Sequence, residues 1–329
     1  MRTVAVEEHC LTPELRAVLG EQIHPCYPAH RWPPALEARL ADIGAGRIAE
    51  MDAAGIDVQV LSTAQPGLEH IEAGRALPVA RAFNDRIAEA ITAHPDRFAG
   101  FAALPTADPA ASADELARAV NELGLRGAMV NGRTLERFLD EPFFWPIFES
   151  AEALGVPLYL HPMPPPKAVY DAYYSGFGDE VGFMLGAGAW GWHVETGLHA
   201  LRLMLAGVFD RFPALQVILG HMGEVLPFMI KRASGALGGA SALGPVATRM
   251  ELSPTEYLTR NFYISISGLF SDPPLRCALD VIGPDRMLFA IDHPFGDNAT
   301  GARFLETAAV TDEERLKIAY QNADRLLGL

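Results

Sequence analysis

TVAVEEHC, residues 3–10, is the stretch on which the fold turns. Its β-branched and small apolar residues read as a strand, and that strand runs directly into two acids and a histidine. Strand side chains alternate with period two, so Glu7 and His9 point to one side while Glu8 and Cys10 point to the other. A Glu-x-His pair could grip one ion; taken alone it is equally an exposed, acid-rich strand end. The same ending recurs far along the chain, in Leu160-His161-Pro162, in Gly220-His221-Met222-Gly223-Glu224 and in Ile291-Asp292-His293-Pro294. In a barrel of parallel strands the C-terminal ends surround one mouth, so these distant side chains would converge.

Working outward, short β-rich apolar runs fall at 3–7, 58–61, 98–102, 128–130, 157–160, 216–219, 262–266 and 287–291. Stretches of helical period lie between or after them at 43–54, 77–93, 110–123, 142–154, 196–209, 223–233, 272–282 and 312–327. Gly55, Gly124, Gly155 and Gly283 each fall just past a helix, where a left-handed cap favours glycine. Eight strand–helix alternations predict an α/β chain closing as a (β/α)8 TIM barrel, one domain over 1–329. The excess length falls at about 11–42 and 163–194, expected as long loops over the mouth. A doubly wound open sheet is the competitor. No Gly-x-Gly-x-x-Gly follows the first strand and no phosphate-binding Gly-rich loop with Lys is present, which speaks against it.

Composition narrows the function. The chain has 26 Lys plus Arg against 41 Asp plus Glu, a formal charge of −15, which would repel nucleic acid and anionic lipid. Half of its residues are hydrophobic and a fifth are charged, the composition of a folded globular protein. Cys10, Cys26 and Cys277 are too few and scattered for a disulfide framework or a Cys-x-x-Cys knuckle, and suit a reducing cytoplasm. Acids by position 7, no apolar leader and no run of ~18 apolar residues predict a soluble, cytoplasmic protein with no membrane partner.

Glu7, His9, His161 and Asp292 form a mixed oxygen and nitrogen set suited to a borderline divalent ion, zinc or manganese, with one position open to substrate. Binuclear hydrolases with this arrangement place a bridging lysine or glutamate at strand four. Here that strand ends in Met129-Val130-Asn131, so one ion is expected. Glu224, three residues after His221, could turn back and hold the imidazole as an oriented acid or base; alternatively it complements a helix N-terminus. Arg232 could reach a substrate carboxylate or lie on the helix surface. Trp190, Trp192 and Phe295 are wall material for a flat ring. His24, His30, His70, His94, His193, His199 and His293 have no partner at ligand spacing, His199 being expected as structural, and Cys10 receives no role.

The sequence resembles the amidohydrolase-related nonoxidative decarboxylases of hydroxybenzoates, the group of γ-resorcylate and 2,3-dihydroxybenzoate decarboxylases. The resemblance rests on VAVEEH at the start, YLHP at 159–162, VETGLHALRLM at 194–204, ILGHMGEVLPFMIKR at 218–232, NFYISISG at 261–268 and DHPF at 292–295. It implies a distorted barrel of the metal-dependent amidohydrolase type, with Glu7, His9, His161 and Asp292 as metal ligands and His221 with Glu224 as a polarised pair. It further implies Arg232 as carboxylate partner and Asn131, Trp192 and Phe295 as ring contacts. The implied reaction converts an ortho-hydroxybenzoate to the phenol and CO2, with Asp292 protonating the ring carbon and His221 ionising the ortho hydroxyl. The implied partners are a small aromatic acid and further copies of the chain, as a dimer or tetramer. His293 and the Met163-Pro164-Pro165-Pro166-Lys167 loop depart from the family pattern. The ligands alone equally suit a hydrolase of an ester or lactone, and a shared fold also admits a catalytically silent binder.

Overall fold

The computed structural model describes residues 1–21, 32–237 and 250–329. Its strands are β1 (Val4–Cys10), β2 (Val58–Thr63), β3 (Phe98–Gly100, resuming at Ala102–Ala103), β4 (Ala128–Asn131), β5 (Leu158–His161), β6 (Val217–Leu219), β7 (Phe262–Ser265) and β8 (Met287–Leu288). Each pairs in parallel with the next. β3 breaks at Phe101, where the peptide N–H turns to Leu61 while that of Ala102 turns to Gly127, so the one strand serves both neighbours.

Closure comes from the two ends of the chain. Val6 N–H donates to the Phe289 carbonyl at 3.0 Å, Asp292 N–H to Glu7 at 3.0 Å and His9 N–H to His293 at 2.7 Å. These bonds join β8 to β1, so the sheet has no exposed edge, and the open-sheet alternative fails. Two apolar layers follow from the strand period. Val4, Val6, Val58, Val60, Phe101, Met129, Tyr159, Ile218, Tyr263, Leu288 and Ala290, drawn from all eight strands, form one cluster inside the ring. Ala323 and Leu327 of the last helix, Asn322–Leu327, join it. Their neighbours along the strands face outward into the larger core beneath the helices.

The two stretches expected as long loops carry helices of their own: Pro13–Glu21 and Pro34–Ala41 in the first, Lys167–Tyr173, Asp179–Gly186 and the opening turn of Gly191–Leu205 in the second. The expected helix at 223–233 is Leu226–Leu237, because residues 221–225 all have positive φ and cannot join a right-handed helix. Gly55 and Gly155 are left-handed caps as their position predicts, whereas Gly283 pairs its positive φ with an extended ψ of 163°. His24, His30 and Cys26 lie outside the described residues.

Candidate metal centre and substrate cavity

Alternation from Val6, which faces the interior, would put Glu8 inside and Glu7 outside. The register prevents this: Ala5 pairs with Gln59 and Glu8 with Leu61, so Val6 and Glu7 together oppose Val60. This extra residue is a β-bulge, which re-aims the side chains that follow it. Glu7 and His9 therefore turn into the barrel, while Glu8 and Cys10 turn out, Glu8 to accept from Gln59 and Cys10 into the outer core. His161, two residues beyond Tyr159, reaches the same space by simple alternation, and Asp292, four residues past the end of β8, reaches it on a left-handed backbone with φ +68°.

There the four side chains place one ligand atom each within 4.8 Å of one another. His9 Nδ1 lies 2.8 Å from the Thr63 carbonyl and His161 Nδ1 2.8 Å from the Pro162 carbonyl. A carbonyl only accepts, so both rings donate from Nδ1, and each ring when neutral, as a metal ligand must be, presents a bare Nε2 to the cluster. His161 Nε2 then faces Glu7 Oε1 at 3.3 Å and His9 Nε2 faces Asp292 Oδ1 at 3.1 Å, acceptor against acceptor. Glu7 Oε1 and His9 Nε2 are buried with no hydrogen-bond partner among the described residues. Such an arrangement is expensive unless a cation sits among the lone pairs, and two carboxylates with two imidazoles suit a divalent ion. The residues present fit the group.

Glu7 is braced from behind. Its Oε2 accepts from the Tyr159 hydroxyl and, at 3.3 Å, from Ser265 Oγ. Burial alone would raise its carboxyl, but the charged His221 beside it holds it below the usual carboxylate range. Burial, together with Glu7, pushes the Tyr159 hydroxyl well above its ordinary value, so it remains a donor. Gly220 makes this approach possible, since a Cβ there would stand 2.9 Å from Glu7 Oε2 and 3.1 Å from the Tyr159 hydroxyl.

The turn at 221–225 brings Glu224 back onto His221. Four of its five residues are not glycine, yet all are left-handed, a costly backbone of the kind that persists at functional sites. Glu224 Oε1 accepts from His221 Nδ1 at 2.7 Å, leaving His221 Nε2 directed at Asp292 Oδ2, 3.9 Å away, and Glu7 Oε1, 3.7 Å away. Burial would lower the His221 imidazole, but Glu224 and Glu7 hold it well above its usual range. Glu224 has a second partner that sequence spacing did not reveal: His193 Nδ1 donates to its Oε2 at 2.7 Å. The expectation that His193 lacks a partner is corrected, because 31 residues and a change of element separate it from Glu224.

His221 and Asp292 form part of the wall of a cavity of about 910 Å³. Trp192, Met222, Val225 and Leu269 supply apolar wall, and Arg276 and Asp280 also border it. Trp192 thus stands where a ring contact is expected. Phe295 packs instead on His9, ring centroids 5.7 Å apart, and against Trp32. Asn131 is fully buried and donates to Thr63 Oγ1 at 3.1 Å, behind the residue whose carbonyl holds His9. Neither Asn131, Phe295 nor Arg232 borders the cavity. Arg232 is exposed on Leu226–Leu237, whose start beyond the left-handed turn sets its face differently from a helix beginning at 223.

Sequence and structure comparisons agree with this geometry. The amidohydrolase family matches residues 27–329. A γ-resorcylate decarboxylase of Polaromonas sp. is 37% identical, the match covering 99% of this chain and 98% of the relative. The crystal structure of a dihydroxybenzoic acid decarboxylase from Polaromonas sp., with bound manganese and the inhibitor 2-nitroresorcinol, superposes with a TM-score of 0.88 at 37% identity, covering 100% of this chain and 97% of that one. The 5-carboxyvanillate decarboxylase of Sphingomonas paucimobilis gives a TM-score of 0.91 at 34% identity, with 100% and 99% covered.

Proposed function

The chain belongs to the amidohydrolase family, and on that premise we propose that it catalyses the nonoxidative, metal-assisted decarboxylation of an ortho-hydroxybenzoate to the phenol and CO2. The observation that carries this reading is the set of inward-facing lone pairs at one end of an apolar-walled cavity, in a chain similar throughout its length to decarboxylases. Glu7, His9, His161 and Asp292 would hold one divalent ion, manganese being the ion bound in the Polaromonas structure. When bound, such an ion supplies Lewis-acid stabilisation of negative charge on the substrate's carboxylate and neighbouring oxygen.

The chain's own groups supply the rest. Direct loss of CO2 would leave an aryl carbanion, whereas a proton delivered first to the carbon bearing the carboxylate avoids one. Asp292 borders the cavity, and because burial would raise its carboxyl but His221 holds it below the usual range, it first takes up the ortho hydroxyl proton and then delivers it to that carbon. The C–C bond then breaks, its electron pair returns to the ring and aromaticity is restored. His221, aimed by Glu224 and charged, donates from Nε2 to the ortho oxygen as its proton leaves, so the ionised oxygen feeds electron density into the ring as the carbon is protonated. Trp192, Met222 and Val225 exclude water from the ring.

The assembly we infer is a homo-oligomer, dimer or tetramer, of single-domain subunits. Phe228 beside the cavity is 79% exposed and Trp190 51%, apolar surface that a second copy would cover. The reaction is tested by incubating manganese-loaded protein with an array of ortho-hydroxybenzoates while following CO2 and the phenol. Release of both is expected. Failure across the array, with hydrolysis of lactones and label from oxygen-18 water in a carboxylate product, would replace this reading with the hydrolase.

A further inference from the structure

Glu8 stands between two of the clustered residues in sequence and faces away from them, wholly buried outside the strand ring. Its Oε1 accepts from the Ile291 N–H at 2.8 Å and its Oε2 from the His293 N–H at 3.2 Å. These peptides flank Asp292, whose own N–H donates to the Glu7 carbonyl at 3.0 Å. Three successive amides therefore end on residues 7 and 8. Asp292 has φ +68°, a left-handed backbone that must be held from outside. Behind the carboxylate, Gln59 Nε2 donates to Oε2 at 3.3 Å, and the buried Arg47 donates both to Gln59 Oε1 at 3.3 Å and to the His9 carbonyl at 2.6 Å. One buried polar layer thus holds the backbone of His9 and of Asp292.

We propose that Glu8 is a positioning residue: by clasping the two amides that flank Asp292 it aims that carboxylate at the cation site and at the substrate's ring carbon. The proposal rests on the reading of Glu7, His9, His161 and Asp292 as cation ligands. A carboxylate suits the task because it offers two acceptor oxygens and no donor when ionised. Glutamine in its place offers one oxygen, and its NH2 would confront a peptide N–H. Outer groups that orient metal ligands are worth ten- to a hundredfold in affinity, so the clasp has a measurable consequence.

Manganese binding is read from the electron paramagnetic resonance of the free ion, with kcat and KM measured at saturating manganese. Glu8→Gln is expected to weaken manganese binding by ~10- to 100-fold and to lower kcat more than it changes KM. Asn261→Ala, which cuts a buried polar side chain that donates to the Pro213 and Leu215 carbonyls far from the flanking amides, is expected to lower the melting temperature yet bind manganese within about twofold of the parent. Should Glu8→Gln not fold, Glu8→Asp, which keeps the charge but reaches less far, is expected to show an intermediate loss. A folded Glu8 variant with parental affinity and turnover would reduce Glu8 to a seam residue and overturn the proposal. So would Asn261→Ala losing as much affinity as Glu8→Gln. A parent protein that takes up no manganese would instead sink the cation reading itself, and this inference with it.

Discussion

Asp292 joins two demands in one side chain, since the carboxylate that helps to enclose the cation site also borders the cavity. Asp292→Asn keeps the shape and removes the transferable proton. It is expected to lower kcat and kcat/KM together, by ~10²–10⁴-fold, in protein that still contains manganese by elemental analysis. Near-parental turnover with the metal retained would take the proton-carrying role away from Asp292. A second residue-scale test concerns stability. His199 is buried, and its Nε2 accepts from the Leu139 N–H at 2.9 Å, a bond that requires the ring to be neutral. Burial, aided by Arg133 and Arg202, pushes its pKa down to about 3. The unfolded imidazole takes up a proton near 6.5, so the native advantage is whole above that pH and is lost as the pH falls toward 3. The parent should lose about 1.4 kcal/mol per pH unit more than His199→Gln over this window, measured by urea unfolding at several pH values. Parallel slopes would show that His199 does not report its burial in this way. The sequence expectation of a structural role for His199 came from its helix alone; the peptide that enforces neutrality lies 60 residues away.

Elements decide what single residues cannot. Period two places Glu7 and His9 on a common side, and this much is legible in EEH. Which side that is depends on one extra residue in β1 relative to β2, visible only in the pairing of Ala5 with Gln59 and Glu8 with Leu61. His161 needs no such correction, because β5 carries plain alternation to its end, whereas Asp292 lies beyond β8 on a left-handed backbone that periodicity does not foretell. The segment 221–225 shows the opposite case. Apolar periodicity predicts helix through it, but consecutive left-handed residues spend the backbone on turning Glu224 toward His221 and His193, and the helix begins only at Leu226. Arg232 lies exposed on that helix. Gly220, just before the turn, has an ordinary φ of −72°, so alanine there meets no backbone strain and only the crowding of Glu7 and Tyr159. Gly220→Ala is therefore expected to retain the far-ultraviolet circular dichroism of the parent while losing at least about tenfold in manganese affinity. Unchanged affinity would show that Glu7 can move aside without cost.

For the whole molecule, eight strand–helix alternations made the barrel legible, but its closure was not, because the ring is closed by backbone hydrogen bonds between residues 4–10 and 287–293, which leave no pattern in the sequence. The cation site straddles that closure. Glu7 and His9 come from β1, Asp292 from just beyond β8, and His161 from β5 elsewhere on the ring. An ion held by all four ties the first strand to the last and to a third point, so occupancy and closure should rise and fall together. At a free manganese concentration of 100 Kd the folded state gains about 2.7 kcal/mol over the stripped protein. This gain should not be uniform. Hydrogen exchange followed by mass spectrometry, with and without chelator, is expected to show lost protection in peptides carrying the Val6, His9 and Asp292 amides. Little change is expected between β5 and β6, whose ladder from Leu158–Val217 to Leu160–Leu219 lies away from the seam. Equal loss in both places would mean that the ion stabilises the barrel as one cooperative body. Loss in neither would mean that the backbone hydrogen bonds close the ring without help, leaving the ion to chemistry alone.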